Sequence, residues 1–245
     1  MRFRFSTHAR SAADAFISLL YPAHCAHCSI PVETREFLCG DCLEKAKRIE
    51  PPFCDTCSQP FDGAIEGIFS CANCAQRNFH FDCAVAAYLS RGMVRGLIHR
   101  FKYQHDYRLR HLLSDWLAES LQDSRIQSRP FDFFVPVPLH PARLREREFN
   151  QAAVLAELLG KRSGRPVLNC LQRIRHTTTQ TRFDRNERME NLRNAFVLRK
   201  NMDVQGKHLL LIDDVLTTGS TVDECSRVLR KAGAASIRVM TVARG

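Results

Sequence analysis

Residues 209–221, Leu-Leu-Leu-Ile-Asp-Asp-Val-Leu-Thr-Thr-Gly-Ser-Thr, leave this chain few folds to choose from. Four consecutive apolar residues read as a strand covered on both faces, as in a parallel sheet. Two carboxylates, Asp213 and Asp214, stand at its carboxyl end, and a Thr/Gly/Ser loop then opens a helix. An open α/β sheet keeps its ligand crevice at that edge. The loop can turn successive backbone N–H groups and the hydroxyls of Thr217, Thr218, Ser220 and Thr221 toward one phosphate, helped by the positive end of the following helix. Gly219 lets the backbone approach such a ligand closely. The two carboxylates can then accept hydrogen bonds from vicinal hydroxyls of a sugar whose 5′-phosphate sits in the loop. The competing reading is an ordinary strand-to-helix turn with a Ser/Thr cap. It accounts for neither the paired acids nor the four hydroxyls around one glycine.

Eight of the eleven cysteines fall into four Cys-x-x-Cys pairs: Cys25/Cys28, Cys39/Cys42, Cys54/Cys57 and Cys71/Cys74. Each pair can give two thiolates to one tetrahedral ion, and two pairs complete a four-sulfur zinc site. Four pairs therefore imply two Zn²⁺ ions. Sequential pairing puts Cys25, Cys28, Cys39 and Cys42 on the first ion and Cys54, Cys57, Cys71 and Cys74 on the second; spacing alone leaves an interleaved pairing open. Sites closed by four sulfurs have no open coordination position, so their role is structural. Redox use of the pairs lacks the βαβ context such chemistry keeps. Cys83, Cys170 and Cys225 read as small buried residues, and His24, His27 and His80 as bystanders.

The chain has no run of about 18 apolar residues, as a membrane-spanning helix requires. Arg2, Arg4 and Arg10 precede a short apolar stretch broken by Asp14. That suits an amphipathic helix over residues 1–20 better than a signal peptide, with a cytoplasmic address expected. A zinc module is expected over 21–80 and an α/β domain over 85–245. The formal net charge of +10 is uneven: residues 1–90 carry 8 Lys/Arg against 10 Asp/Glu, and residues 91–200 carry 22 against 11. Gripping phosphates takes Lys and Arg. The basic middle segment, not the zinc module, suits a polyphosphate or a nucleic-acid strand.

Within that segment, apolar spacing predicts two helices between Arg91 and Leu121, with a turn near His105-Asp106. Arg95, His99, Arg100 and Lys102 read as a solvated face. Phe131–Leu139 reads as a strand, after which Pro136, Pro138, His140 and Pro141 fix an extended loop before Arg143, Arg145 and Arg147. Three guanidiniums there could hold a pyrophosphate by charge-assisted hydrogen bonds. Asn150 and Gln151 begin a helix with Val154, Leu155, Leu158 and Leu159 toward the core. Val167–Ile174 is a second strand. The long basic connection that follows, with Arg173, Arg175, Gln180, Arg182, Arg185 and Arg188, reads as a lid over phosphates. Phe196–Leu198 and Ser236–Ala243 complete the strands, with a helix over Thr221–Ala232 ended at Gly233.

Residues 209–221 resemble the phosphoribosyl-pyrophosphate (PRPP) motif of type I phosphoribosyltransferases. Together with the tandem Cys-x-x-Cys pairs, VPVPLHPARLREREFNQA and the TQT…R..ER.EN…AF stretch, they make the chain resemble the ComF/GntX family, ComFC-like proteins of bacterial DNA uptake. The resemblance runs in motif order from about Leu20 to Ala243. Two positions depart from it: Glu148 stands where the family commonly has Gly, and His105 where a Gly often follows the Lys-Tyr pair. The resemblance implies an α/β fold, a type I phosphoribosyltransferase-like parallel sheet flanked by helices, with a small N-terminal double zinc ribbon. It implies PRPP with Mg²⁺ as ligand, single-stranded DNA as a partner, and a ComFA-like helicase and DprA as protein partners. Asp213 and Asp214 would hold the ribose hydroxyls and Thr217, Thr218, Gly219, Ser220 and Thr221 the 5′-phosphate. Pro138 to Arg147, with His140, Arg143, Arg145 and Arg147, would form the pyrophosphate loop, and Arg175 to Arg188, with Arg182, the lid. If the domain is catalytic, pyrophosphate leaves ribose C1 beside Asp213 and Asp214. The alternative is a non-catalytic PRPP- or nucleotide-sensing or DNA-binding module, a strand then stacking on Phe101, Tyr103, Tyr107, Phe149 or Phe183.

Overall fold

The structure, a computed structural model, describes residues 22–34, 36–63, 67, 69–175 and 192–245. The helix expected over 1–20 and nearly all of the expected lid, including Gln180, Arg182, Phe183, Arg185 and Arg188, lie outside them. The chain divides into two compact units, Met1–Ala46 and Lys47–Gly245.

In the first unit a knuckle turns at Cys25–Ile30, closed by the Cys25 N–H on the Ile30 carbonyl at 2.8 Å. A short helix, α1 (Gly40–Lys45), starts directly after Cys39 and carries Cys42 into the interior.

The second unit opens with the other two cysteine pairs and continues into β1 (Cys83–Leu89), α2 (Gly92–Tyr103), α3 (Leu109–Glu119) and the single turn α4 (Ser124–Gln127). Then come β2 (Phe133–Pro136), α5 (Pro141–Arg147), α6 (Gln151–Ser163), β3 (Leu171–Arg173), β4 (Phe196–Leu198), β5 (His208–Leu216), α7 (Ser220–Lys231) and β6 (Ser236–Arg244). The main sheet has the order β1-β6-β5-β2, parallel throughout, and β3 and β4 form a separate antiparallel pair. Leu209, Leu210, Leu211 and Ile212 are each fully buried, as the unbroken apolar run requires of a central strand covered on both faces. Burial at this level stabilises by about 1.5–3 kcal/mol per side chain relative to exposure. One face of the sheet, through Val135, Leu209, Leu211, Ile237 and Val239, packs on α7 and on Leu171 and Phe196 of the small hairpin. The other meets α3 and α6, which also pack on each other.

Three local expectations change. The strand expected over Val167–Ile174 is divided: Val167 bridges Phe134 in parallel, whereas Leu171–Arg173 pairs with β4. Tertiary pairing partners, invisible in a local pattern, decide that split. In α6 the buried apolar positions are Ala152, Leu155, Ala156 and Leu159, and Val154 and Leu158 are only partly covered. The segment before Glu148, expected to be an extended loop, is helical from Pro141 to Arg147. Proline at the first helical position and His140 as a cap make that helix possible.

Candidate functional site

Strand β5 delivers Asp213 and Asp214 to the carboxyl edge of the sheet, where the pleat sends successive side chains to opposite faces. Their partners differ accordingly. Asp214 is buried, and its Oδ1 lies 2.6 Å from Nζ of Lys102 on α2. Asp213 accepts the Asp214 N–H at 2.9 Å. Burial, and after it the Asp214 carboxylate, push Asp213 up to about 7, against the opposing pull of Lys102, the Asp214 amide and Arg147. A carboxylate raised by burial at the edge of a sheet is where a bound cation or hydroxyl donors gain most.

Beyond β5 the chain turns at Thr217 and Thr218 into α7, whose N-cap is Gly219 in the left-handed conformation, φ +80°. The Thr218 and Ser220 hydroxyls lie 3.0 Å apart and the Ser220 N–H reaches Thr218 Oγ1 at 3.4 Å, which winds the loop around its own N–H groups. Thr217 is exposed, Thr218 and Thr221 partly exposed, and Ser220 buried. The helix is twelve residues long, enough for its N-terminus to favour an anion.

Because α5 is a helix, its three arginines do not converge. Arg143 and Arg147, four apart, share a face, whereas Arg145 is exposed. Arg147 is buried: it donates to Gln151 Oε1 at 3.1 Å and to the Tyr103 hydroxyl at 2.9 Å. His140 caps the helix by accepting the Ala142 N–H at 3.2 Å. From β3, Arg173 joins this group: burial, then the nearby Arg143 guanidinium, lower its pKa, with Arg147 adding to the effect and Cys225 and Asp213 opposing it. Three guanidiniums near one another and near a carboxylate make a cationic cluster suited to an anion of several charges. Arg175 instead is exposed and donates to the Arg193 carbonyl at 3.0 Å. Lys102 and Gln151 are the residues the sequence left out of the site, and Arg173, expected in the lid, stands on β3 instead. Lys102 looked like part of a solvated helix face, and only the packing of α2 brings it to Asp214.

Both cysteine tetrads assemble in sequential pairing, the four sulfurs of each within 4.8 Å of one another. A tetrahedron with Zn–S near 2.3 Å has S···S edges of about 3.8 Å. The Cys28–Cys39 and Cys57–Cys71 sulfurs are 3.7 and 3.6 Å apart. The donors therefore fit zinc. In the second tetrad the Cys57 thiol, donating to Cys54, leads the effects that bring Cys54 down to about 4. Cys170 and Cys225 are wholly buried and Cys83 partly so, all three outside the tetrads.

Of the aromatic side chains considered for stacking, Phe101 is fully buried and Phe149 partly buried, while Tyr103 and Tyr107 are exposed. Arg110 lies 4.0 Å over the Tyr107 ring. Among the described residues, no helix is long and apolar enough to cross a membrane.

A parallel sheet with this carboxyl-edge site, joined to two four-sulfur centres, defines a phosphoribosyltransferase-fold protein carrying a double zinc ribbon. Comparison with known families bears this out: a double zinc ribbon domain matches residues 16–77 and a phosphoribosyl transferase domain matches residues 154–245. Competence protein F of Haemophilus influenzae is 32% identical over 90% of this chain and 96% of that protein. The DNA utilization protein YhgH of Escherichia coli K12 is 31% identical over 92% of this chain and 99% of its own length. Competence protein ComFC of Bacillus subtilis is 27% identical over 85% of each. The chain belongs to the ComF/GntX family.

Proposed function

We propose that the carboxyl-edge site binds PRPP with Mg²⁺ and that the protein serves DNA uptake or the use of DNA as a nutrient, binding single-stranded DNA on the basic surface beside the site. The observation that carries the reading is the juxtaposition of Asp213 and Asp214 with the Thr217–Thr221 loop at one strand end. A ribose 5-phosphate laid across that edge would put its phosphate on the loop and its vicinal hydroxyls on the carboxylates. The pyrophosphate would lie among Arg143, Arg147 and Arg173, whose mutual repulsion an anion relieves. Mg²⁺ would come with the pyrophosphate and share its charge with Asp213, whose pKa is raised by burial and by the neighbouring Asp214 carboxylate. The family relatives named for competence and DNA utilisation support the cellular role.

For DNA, Tyr103 and Tyr107 offer exposed rings beside Arg147, Arg108 and Arg110, the combination that holds single strands by stacking and charge. Should transfer chemistry occur, the residues at hand act by electrostatic stabilisation of departing pyrophosphate. The test separates the two ligands by their ion requirements. Binding of PRPP should require Mg²⁺, and binding of an oligonucleotide should weaken steeply as salt rises. PRPP binding indifferent to Mg²⁺, or oligonucleotide binding indifferent to salt, would contradict the respective half of the proposal.

A further inference from the structure

We propose that zinc in the second tetrad shapes the phosphate loop, so that the affinity of the loop for a phosphate depends on that metal. The inference rests on the loop's reading as a phosphate site. Two hydrogen-bonded bridges carry it, one running from a zinc-ligand sulfur to the Leu216 carbonyl at the mouth of the loop and one to the Thr218 carbonyl within it. In the first, Arg244 Nη2 donates to Cys57 Sγ at 4.0 Å and its Nη1 donates to the Leu216 carbonyl at 3.1 Å. Arg244 is buried at the end of β6, and the Gly245 N–H reaches the same Leu216 carbonyl at 2.8 Å. In the second, Asn73 Nδ2 donates to Cys74 Sγ at 4.0 Å, and Arg77 Nη1 donates both to Asn73 Oδ1 at 3.5 Å and to the Thr218 carbonyl at 3.1 Å. The Arg77 guanidinium lies 4.4 Å over the Phe79 ring, and Phe79 stands 3.4 Å from where a Cβ on Gly219 would be.

The consequence follows from peptide planarity. Holding the carbonyls of Leu216 and Thr218 in one direction points the N–H groups of Thr217 and Gly219 in the other. Those are the donors a phosphate in the loop would use. The sulfur contacts are long, and a neutral thiol is a weak acceptor. A zinc-held thiolate is an anionic acceptor, and such outer partners of a metal site commonly tune it and are tuned by it. Zinc thus tightens the two contacts that anchor the bridges. Phe79 packs against position 219, where the φ of +80° favours glycine. The tetrad of Cys25, Cys28, Cys39 and Cys42 supplies no residue to either bridge, which makes it the internal control.

The experiment uses the full zinc-loaded chain and compares wild type with Arg77→Ala, Arg77→Lys and the control Cys25→Ser/Cys28→Ser. Zinc content, PRPP affinity by calorimetry with Mg²⁺, and amide exchange over residues 215–221 are measured for each. Arg77→Ala should keep two zinc ions per chain, weaken PRPP about tenfold and speed exchange at Thr217–Gly219; Arg77→Lys, which can still donate to the Thr218 carbonyl, should recover part of both. The control should lose one zinc ion and keep PRPP affinity. Wild-type affinity and exchange in Arg77→Ala overturn the inference. A wild-type protein that does not bind PRPP overturns the functional reading instead, and exchange at Thr217–Gly219 then decides the bridge by itself.

Discussion

Replacing Asp213 by Asn should stabilise the folded protein above neutral pH and change it little near pH 4. The folded-state pKa of about 7 lies far above the ordinary 3.8, so the folded chain holds this proton more tightly than the unfolded one. Stability therefore falls as pH rises from about 4 to about 7 and stays reduced above that window. A shift of about three units sets a ceiling of about 4 kcal/mol. Asp213 is only partly buried, and solvent screening brings the realised cost to about 1–2 kcal/mol. Asn removes the charge and keeps an oxygen for the Asp214 N–H. In a chain of this size the gain corresponds to about 3–6 °C in Tm at pH 8, and to under about 1 °C near pH 4, where the carboxyl is protonated in the folded chain and largely so in the unfolded one. Asp214→Asn should do the reverse: it strips Lys102, whose side chain is 19% exposed, of its partner at 2.6 Å and costs about 2 kcal/mol. Thermal melts of both variants at the two pH values check this. An Asp213→Asn shift that is equal at pH 4 and pH 8, or a lower Tm at pH 8, would refute the argument.

Other outcomes follow from separate parts of the structure. Metal analysis should give two zinc ions per chain, and Cys28→Ser and Cys57→Ser should each remove one. Glu148 sits at φ +64° as the C-cap of α5, so Glu148→Gly should raise stability by about 0.5–1 kcal/mol, since its exposed contact with His105 is worth little. A denaturant melt reads that gain, and a loss would mean the pair matters more than the strain. Tyr107→Ala should weaken single-stranded oligonucleotide binding by about 1–3 kcal/mol while leaving the salt slope unchanged, as expected for a lost stacking ring and not a lost phosphate contact. Fluorescence titration at several salt concentrations separates the two.

How far the sequence carried the fold depended on how local each signal was. Strand β5, its acidic end and the phosphate loop are contiguous, and their periodicity and turn chemistry are complete within thirteen residues. The cysteine pairs were equally plain, and the assembled tetrads select the sequential pairing that spacing left open. The edge strand Cys83–Leu89 carried no expectation: Cys-Ala-Val-Ala-Ala-Tyr-Leu is short, rich in small residues and without alternation, and it becomes a strand by pairing with β6. The site's cations were harder to foresee. Arg143, Arg145 and Arg147 were visible as a group, but only the helical turn of α5 shows that Arg145 points away. Lys102 and Arg173 come from α2 and β3, distant in sequence from Asp213, and long-range packing alone brings them near. The two positions that depart from the family's glycines, His105 and Glu148, both adopt positive φ, +52° and +64°, and their side chains meet at 3.2 Å. The backbone requirement was thus readable from the resemblance, and the contact between the two was not.

The central claim, that Asp213, Asp214 and the Thr217–Thr221 loop form one PRPP site, is tested most directly by calorimetric titration of the zinc-loaded protein with PRPP and Mg²⁺, in parallel with the Asp213→Asn/Asp214→Asn variant. Saturable binding of one PRPP per chain, lost in the variant while two zinc ions remain bound, is the predicted result. Undiminished PRPP affinity in the variant would contradict it and move the ligand away from the end of β5.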